Sequence, residues 1–140
     1  MPRKPGYSSA IHDVVDRLFV YGTLRTGQTA RKMIADHVAR WEPASAEGVL
    51  IAFPDYPGVI DGPGTIHGEL VHLTELLTAF SLLDAYEGDD FIRILRRLRL
   101  ADGSEDWAWC YVLADPKLAA AGTPIPHGDW LRWLADRALS

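Results

Sequence analysis

The chain has a single cysteine, Cys110, in 140 residues. It cannot close an internal disulfide, which points to a reducing compartment and a cytoplasmic setting. Flanked by Trp109 and Tyr111 in an apolar run, Cys110 reads as a small buried hydrophobe, with no base nearby in the sequence to make it a catalytic thiol. No run approaches the roughly 20 apolar residues of a membrane span. Met1-Pro2-Arg3-Lys4-Pro5-Gly6 carries charge with no apolar stretch after it, so a secretory signal is not expected. Positive charge is in short supply: 14 Lys and Arg against 19 Asp and Glu leave a net charge of −5, which argues against nucleic acid as the main partner. The histidines are scattered, and His67 and His72 face opposite sides of an expected strand, so no metal site is expected. No Gly-x-Ser-x-Gly occurs, which removes the serine-hydrolase elbow. Asp61-Gly62-Pro63-Gly64 lacks the Gly-Lys-Ser/Thr ending of a phosphate loop and reads as a plain turn.

What is present suits one compact α+β domain. Hydrophobic residues make up 48% of the chain, enough for a real core. Residues 1–16 read as a loose, flexible leader and 17–140 as a single domain. Five Trp suggest a large aromatic core or pocket. The apolar run Leu18 to Tyr21 is too short for a helix and reads as a buried strand. Ala30, Met33, Ile34, Val38 and Trp41 have helical spacing, which predicts a helix from Thr29 to Trp41, ended by Pro43. Val49 to Phe53 and Thr65 to Leu73 are strand candidates, with a special turn at Pro54 to Gly58. Phe91 to Leu100 and Trp107 to Leu113 form a hairpin around Asp102-Gly103. Ala119 to Gly122 is a weakly helical or flexible link, and Asp129 caps a last helix through Leu139. Arg93, Arg96, Arg97 and Arg99 read as a solvated strand face paired with acids; the other reading makes Arg93 a clamp for a substrate carboxylate. The mixed order of elements suggests a strongly curved, barrel-like mixed sheet with helices packed outside. No feature fixes an oligomeric state.

Two segments carry candidate chemistry. The first is Val20-Tyr21-Gly22-Thr23-Leu24-Arg25, where a strand ends abruptly at glycine. Gly22 lets the backbone turn sharply or approach a ligand closely, and the N–H groups after it can converge on an anion or a carbonyl oxygen. The plain alternative is a structural turn. The second is Leu83-Asp84-Ala85-Tyr86-Glu87-Gly88. Thr74 reads as an N-cap, and Leu76, Leu77, Phe80 and Leu83 as one helix face. Glu87 continues that stripe, and Gly88 supplies the stop. A Glu on the core side at a helix C-terminus is disfavoured in its charged form by dipole and by burial, which raises its pKa and suits a general acid or base. If the helix frays at Tyr86, Glu87 simply reaches solvent.

Together these segments resemble the γ-glutamylcyclotransferase-like family, in its small branch with γ-glutamylamine cyclotransferases and plant avirulence-induced proteins. The resemblance runs from Leu18 to Trp130. It rests on Val20 to Arg25, Tyr56-Pro57-Gly58-Val59, Gly68-Glu69-Leu70, and Leu83 to Gly88 followed by Phe91 and Arg93. Trp109-Cys110-Tyr111-Val112 and Gly128-Asp129-Trp130 complete it. Each motif is short; all six in order are specific.

The resemblance implies a small mixed barrel and a reaction without metal or organic cofactor. The α-amino group of a γ-glutamyl amine or dipeptide attacks its own γ-carbonyl, releasing 5-oxoproline and a free amine. It implies Glu87 as general acid and base, and substrate contacts from Tyr21, Gly22, Thr23, Leu24, Arg25, Tyr56 and Tyr111. Phe91 stands where family members often carry Tyr, so it has no hydroxyl to offer. The leaving-group walls are open: Tyr56 and Pro57, the Asp89-Asp90 pair, and residues 121–127 are candidates. The acidic pair either welcomes a cationic amine or is a solvated turn. The competing function is a non-catalytic small-molecule-binding or interaction module on the same fold.

Overall fold

The computed structural model describes residues 16–139. All but Asp16 of the expected leader therefore lies outside the described residues. Six strands appear: β1 (Arg17–Val20), β2 (Val38–Ala52), β3 (Pro57–Leu73), β4 (Phe91–Leu100), β5 (Glu105–Leu113) and β6 (Thr123–Ile125). Two α-helices follow β3 and β6 respectively, α1 (Leu76–Glu87) and α2 (Trp130–Ala138). Two 3-10 segments, Thr29–His37 and Pro116–Ala121, complete the order.

The sheet runs β3-β1-β5-β4-β2, and β2 pairs again with β3, closing a five-stranded barrel; β6 is an added strand on β2. β1 is antiparallel to β3 but parallel to β5, so it is flanked on both edges. It is also buried on both faces, which explains its uninterrupted apolar run. Phe19 enters the barrel interior with Leu50, Ile66, Leu70, Leu98, Ala108 and Cys110. Leu18 and Val20 face outward into a second apolar layer under α1 and the first 3-10 segment, with Ile34, Val71, Phe80, Leu83 and Tyr111. Trp130, the first residue of α2, is buried against the interior cluster. No helix among the described residues is long and apolar enough to cross a membrane.

The expected α+β barrel-like sheet is present, and several local expectations change. The helix predicted over Thr29–Trp41 is a 3-10 segment that stops at His37. Val38 and Trp41 instead pair with Leu73 and Val71 of β3, and Pro43 lies inside β2 opposite Glu69. Apolar residues at 34, 38 and 41 suit either element, and the long β2–β3 ladder decides between them. Asp61 to Gly64 does not end a strand. These four residues stand opposite Gly48 as a bulge within the ladder, between the pairs Glu47–Thr65 and Val49–Ile60. The N-cap position of α1 is Glu75 in a left-handed conformation, not Thr74, whose N–H is taken by the His37 carbonyl. Leu77 is 83% exposed, because the buried face of α1 follows Ala79, Phe80 and Leu83, and Leu77 falls beside it.

The tryptophans do not form a common core. Trp41 and Trp107 are 46% and 43% exposed, and only Trp130 is fully buried. Arginines cover the others: Arg31 over Trp41, Arg97 over Trp107, Arg93 over Trp109 and Arg137 over Trp133. The arginine run of β4 is likewise not one solvated face. Arg96 lies on the other side from its neighbours and donates to Asp61 and to the Glu47 carbonyl, each at 2.7 Å.

Candidate active site

One cavity of about 310 Å³ opens where β1 ends. Tyr21, Gly22, Thr23 and Leu24 form one wall and Tyr86 and Glu87 at the end of α1 another; Phe19, Val20, Asp55, Tyr56, Pro57, Asp90, Phe91 and Tyr111 complete the lining. The structure therefore brings together Tyr21, Gly22, Thr23, Leu24, Tyr56, Tyr111 and Glu87. Arg25 does not line the cavity. Its Nη1 donates to Asp129 Oδ1 at 2.9 Å and its Nε lies 3.5 Å from Glu69 Oε2. Among the candidate leaving-group walls, Tyr56, Pro57 and Asp90 reach the cavity, while residues 121–127 do not.

The loop after β1 is held from behind. Arg25 N–H donates to the Gly22 carbonyl at 3.0 Å, closing a turn. Glu69, only 4% exposed, accepts from Thr26 N at 3.0 Å, from Thr26 Oγ1 at 2.9 Å and from Arg31 Nη1 at 2.8 Å. Arg31 also donates to the Leu24 carbonyl at 3.1 Å. A buried carboxylate is costly unless paired and hydrogen-bonded, and here every partner comes from the loop. Gly22 has little room: a Cβ there would lie 2.4 Å and 2.7 Å from the Pro57 ring. The requirement is close approach to β3 rather than an unusual backbone angle. No acceptor among the described residues takes the N–H groups of Gly22, Thr23 or Leu24. They remain free as donors at the cavity wall.

Glu87 is the last residue of α1, and Gly88 ends the helix with φ 73°. Burial pushes the Glu87 carboxyl up to about 7, and the nearby charge of Asp84 adds to it. No donor among the described residues bonds the Glu87 carboxylate. Near neutral pH such a group is poised both to take and to give a proton.

The surrounding hydroxyls are ordered. Tyr21 donates to the Tyr111 carbonyl at 2.6 Å. Tyr111 donates to Asp84 Oδ1 at 2.5 Å, and Asp84 also receives Nε and Nη2 of Arg93, each at 3.1 Å. Burial alone would raise the Asp84 carboxyl; hydrogen bonds from Arg93 and Tyr111 outweigh it and hold the group below the usual carboxylate range. Burial raises both phenols, first among several causes, so neither ionises near neutral pH. Thr23 Oγ1 and the Tyr86 hydroxyl lie 3.1 Å apart, tying the loop to α1. Tyr56 and Phe91 meet edge to face at 5.9 Å, so the Phe91 ring packs. Among the described residues no group of three His, Cys, Asp or Glu is placed to hold a metal ion. Cys110 is buried beside this region and its thiol is pushed up to about 12 by burial.

Asp84 and Glu69 are the residues whose parts the sequence did not reveal. For Asp84 the available signal was its position one helical turn before Glu87; for Glu69 it was an acid inside an apolar strand.

The chain is similar to known proteins over most of its length. The family model described as "Gamma-glutamyl cyclotransferase, AIG2-like" matches residues 18–132. The gamma-glutamylcyclotransferase family protein ytfP of Citrobacter rodentium is 33% identical over 117 residues, covering 82% of this chain and 95% of its own length. The protein of the same name in Escherichia coli K12 is 32% identical over 121 residues, covering 82% of this chain and 96% of its own. Solved structures share the fold. YkqA from Bacillus subtilis superposes with a TM-score of 0.73 at 24% identity, covering 91% of this chain and 44% of that one. An AIG2-like protein from Mus musculus gives 0.59 at 23% identity, covering 74% of this chain and 81% of that one.

Proposed function

The chain belongs to the AIG2-like gamma-glutamyl cyclotransferase family, and from that premise we propose that it cyclises a γ-glutamyl amine or dipeptide to 5-oxoproline and a free amine. The observation that carries this reading is the Glu87 carboxyl, raised to about 7 in the wall of a cavity whose facing loop has free N–H groups. Three proton movements are required. The substrate α-ammonium gives a proton to Glu87, and the freed amine attacks the γ-carbonyl carbon. As the tetrahedral intermediate collapses, the carbon–nitrogen bond of the old amide breaks and Glu87 returns the proton to the leaving nitrogen. The second proton that the attacking nitrogen sheds in becoming the lactam N–H leaves through Glu87 to the free amine, which departs as its ammonium. The N–H groups of Gly22, Thr23 and Leu24 face the oxygen that gains charge. Because attacker and target belong to one molecule, a cavity that holds the glutamyl chain folded supplies much of the acceleration. The substrate is a small γ-glutamyl compound, and no step draws on a cofactor. The lone, buried Cys110 supports a reducing, cytoplasmic setting.

The test is 5-oxoproline release from a panel of γ-glutamyl amines and dipeptides, wild type beside Glu87→Gln. Release by the wild type, with a loss of about 10²-fold or more in the variant, is expected for removal of a general acid–base group. Normal turnover by folded Glu87→Gln would remove Glu87 from the mechanism. No release from any panel member would leave the binding-module reading standing.

A further inference from the structure

Of the four tyrosines that line the cavity, Tyr21 and Tyr111 have already committed their only proton. Tyr21 gives its proton to the Tyr111 carbonyl, which can only accept. Tyr111 gives its proton to Asp84. The direction of that second bond is fixed by the groups behind it. Arg93 has donors only, and its fork grips both oxygens of Asp84. Asp84 so held is ionised and acceptor-only, so the shared proton is the phenol's. Arg93 is itself seated, its guanidinium 3.9 Å from the centre of the Phe80 ring and 4.8 Å from that of Trp109. The chain of dependence runs from Arg93 to Asp84 to the Tyr111 hydroxyl.

Towards the cavity, both phenol oxygens can therefore only accept a hydrogen bond. Both residues line the same cavity as Glu87. The lining residues include no Lys, Arg or His. Tyr21 and Tyr111 thus offer acceptors beside the carboxyl of Glu87, in the same cavity as the free N–H donors of Gly22, Thr23 and Leu24. A γ-glutamyl group has one end rich in donors, its α-ammonium, and that end matches these acceptors. We infer that Arg93 and Asp84 are positioning residues that turn the Tyr111 hydroxyl into an acceptor for the substrate's α-ammonium. The inference rests on the cyclotransferase reading and specifies how the substrate lies. Once Glu87 has taken one proton, the amine still has N–H bonds to give. One goes to Tyr111, which leaves the nitrogen lone pair free to attack the γ-carbonyl carbon.

The test compares two compounds, γ-glutamyl methylamide and its counterpart without the α-amino group, glutaric acid monomethylamide. Dissociation constants are measured by calorimetry in the Glu87→Gln protein, where turnover does not consume the ligand. A hydrogen bond to a charged group is worth about tenfold or more in affinity. The compound lacking the amino group should bind about tenfold or more weaker to Glu87→Gln. Adding Tyr111→Phe or Asp84→Asn should shrink that ratio to within about threefold, and adding Arg93→Lys should leave it between the two. Thermal unfolding confirms that each variant is folded. A ratio unchanged by Tyr111→Phe overturns the inference, as does equal weakening of both compounds, which signals general damage to the cavity. Failure of γ-glutamyl methylamide to bind overturns it as well. Turnover by wild-type protein is scored separately. Release of 5-oxoproline with an unchanged ratio sinks the ammonium seat alone. A collapsing ratio without release keeps the seat and sinks the cyclotransferase.

Discussion

Glu87 combines a chemical role with a cost to the fold. Its carboxyl has an ordinary value of 4.5 and is raised to about 7 in the folded chain. Between those two values the folded protein holds a proton that the unfolded chain has released. Stability is therefore greatest below about 4.5 on this account and falls as pH rises through about 7. Glu87→Gln removes the dependence. The variant should match wild type in stability near pH 4.5 and exceed it at pH 8 by on the order of 2–3 kcal/mol. Denaturant unfolding at the two pH values checks this, and the same difference at both would show that Glu87 ionises normally. Glu87 was legible in the sequence because it extends the Phe80–Leu83 stripe. The part played by Asp84 was not, because its partners Arg93 and Tyr111 come from strands 9 and 27 residues further on. A helix pattern describes one element, and this network exists only where three of them meet.

Among the elements, the loop from Tyr21 to His37 shows how local sequence underdetermines shape. Its strand end and glycine turn were readable. The 3-10 segment was not, since its limits are set by Glu69 pulling on Thr26 and Arg31 and by β3 recruiting Val38 into a ladder. Glu69 fastens the loop from inside the wall. Glu69→Ala leaves Arg31 without its carboxylate in a largely buried site and should cost about 3–5 kcal/mol, the range for breaking a buried pair. Its urea midpoint should fall accordingly, with a larger KM wherever the protein remains folded. A loss under 1 kcal/mol would mean that the loop stands without this anchor. Gly22→Ala examines the other side of the loop. The added methyl meets the stiff Pro57 ring, so the loop must shift, at a cost of about 1–3 kcal/mol for overpacking. Because the free N–H groups move with it, kcat/KM should drop by tenfold or more. Unchanged kinetics would place the reacting oxygen elsewhere.

For the molecule as a whole, the closed barrel was suggested by the mixed order of strands and helices, and the closing pairs were not. β1 joins β5 in parallel across a long separation in sequence, and the bulge at Gly48 keeps β2 and β3 together where turn residues read as an interruption. The C-terminal helix joins this frame to the site. Trp130 is seated against the barrel interior, and Asp129 does two things at once. It caps α2 by accepting from Leu131 and Arg132, and it pairs with Arg25 of the cavity loop. Substitution can separate the two. Asp129→Ser keeps a capping oxygen, so the helix end should lose only a few tenths of a kcal/mol, whereas Asp129→Ala should lose about 1 kcal/mol. Both abolish the tie to Arg25. If that tie positions the loop, both variants should show the same few-fold fall in kcat/KM despite different Tm values. Catalysis that instead tracks Tm would mean that α2 supports the barrel alone, with Glu69 sufficient to hold the loop.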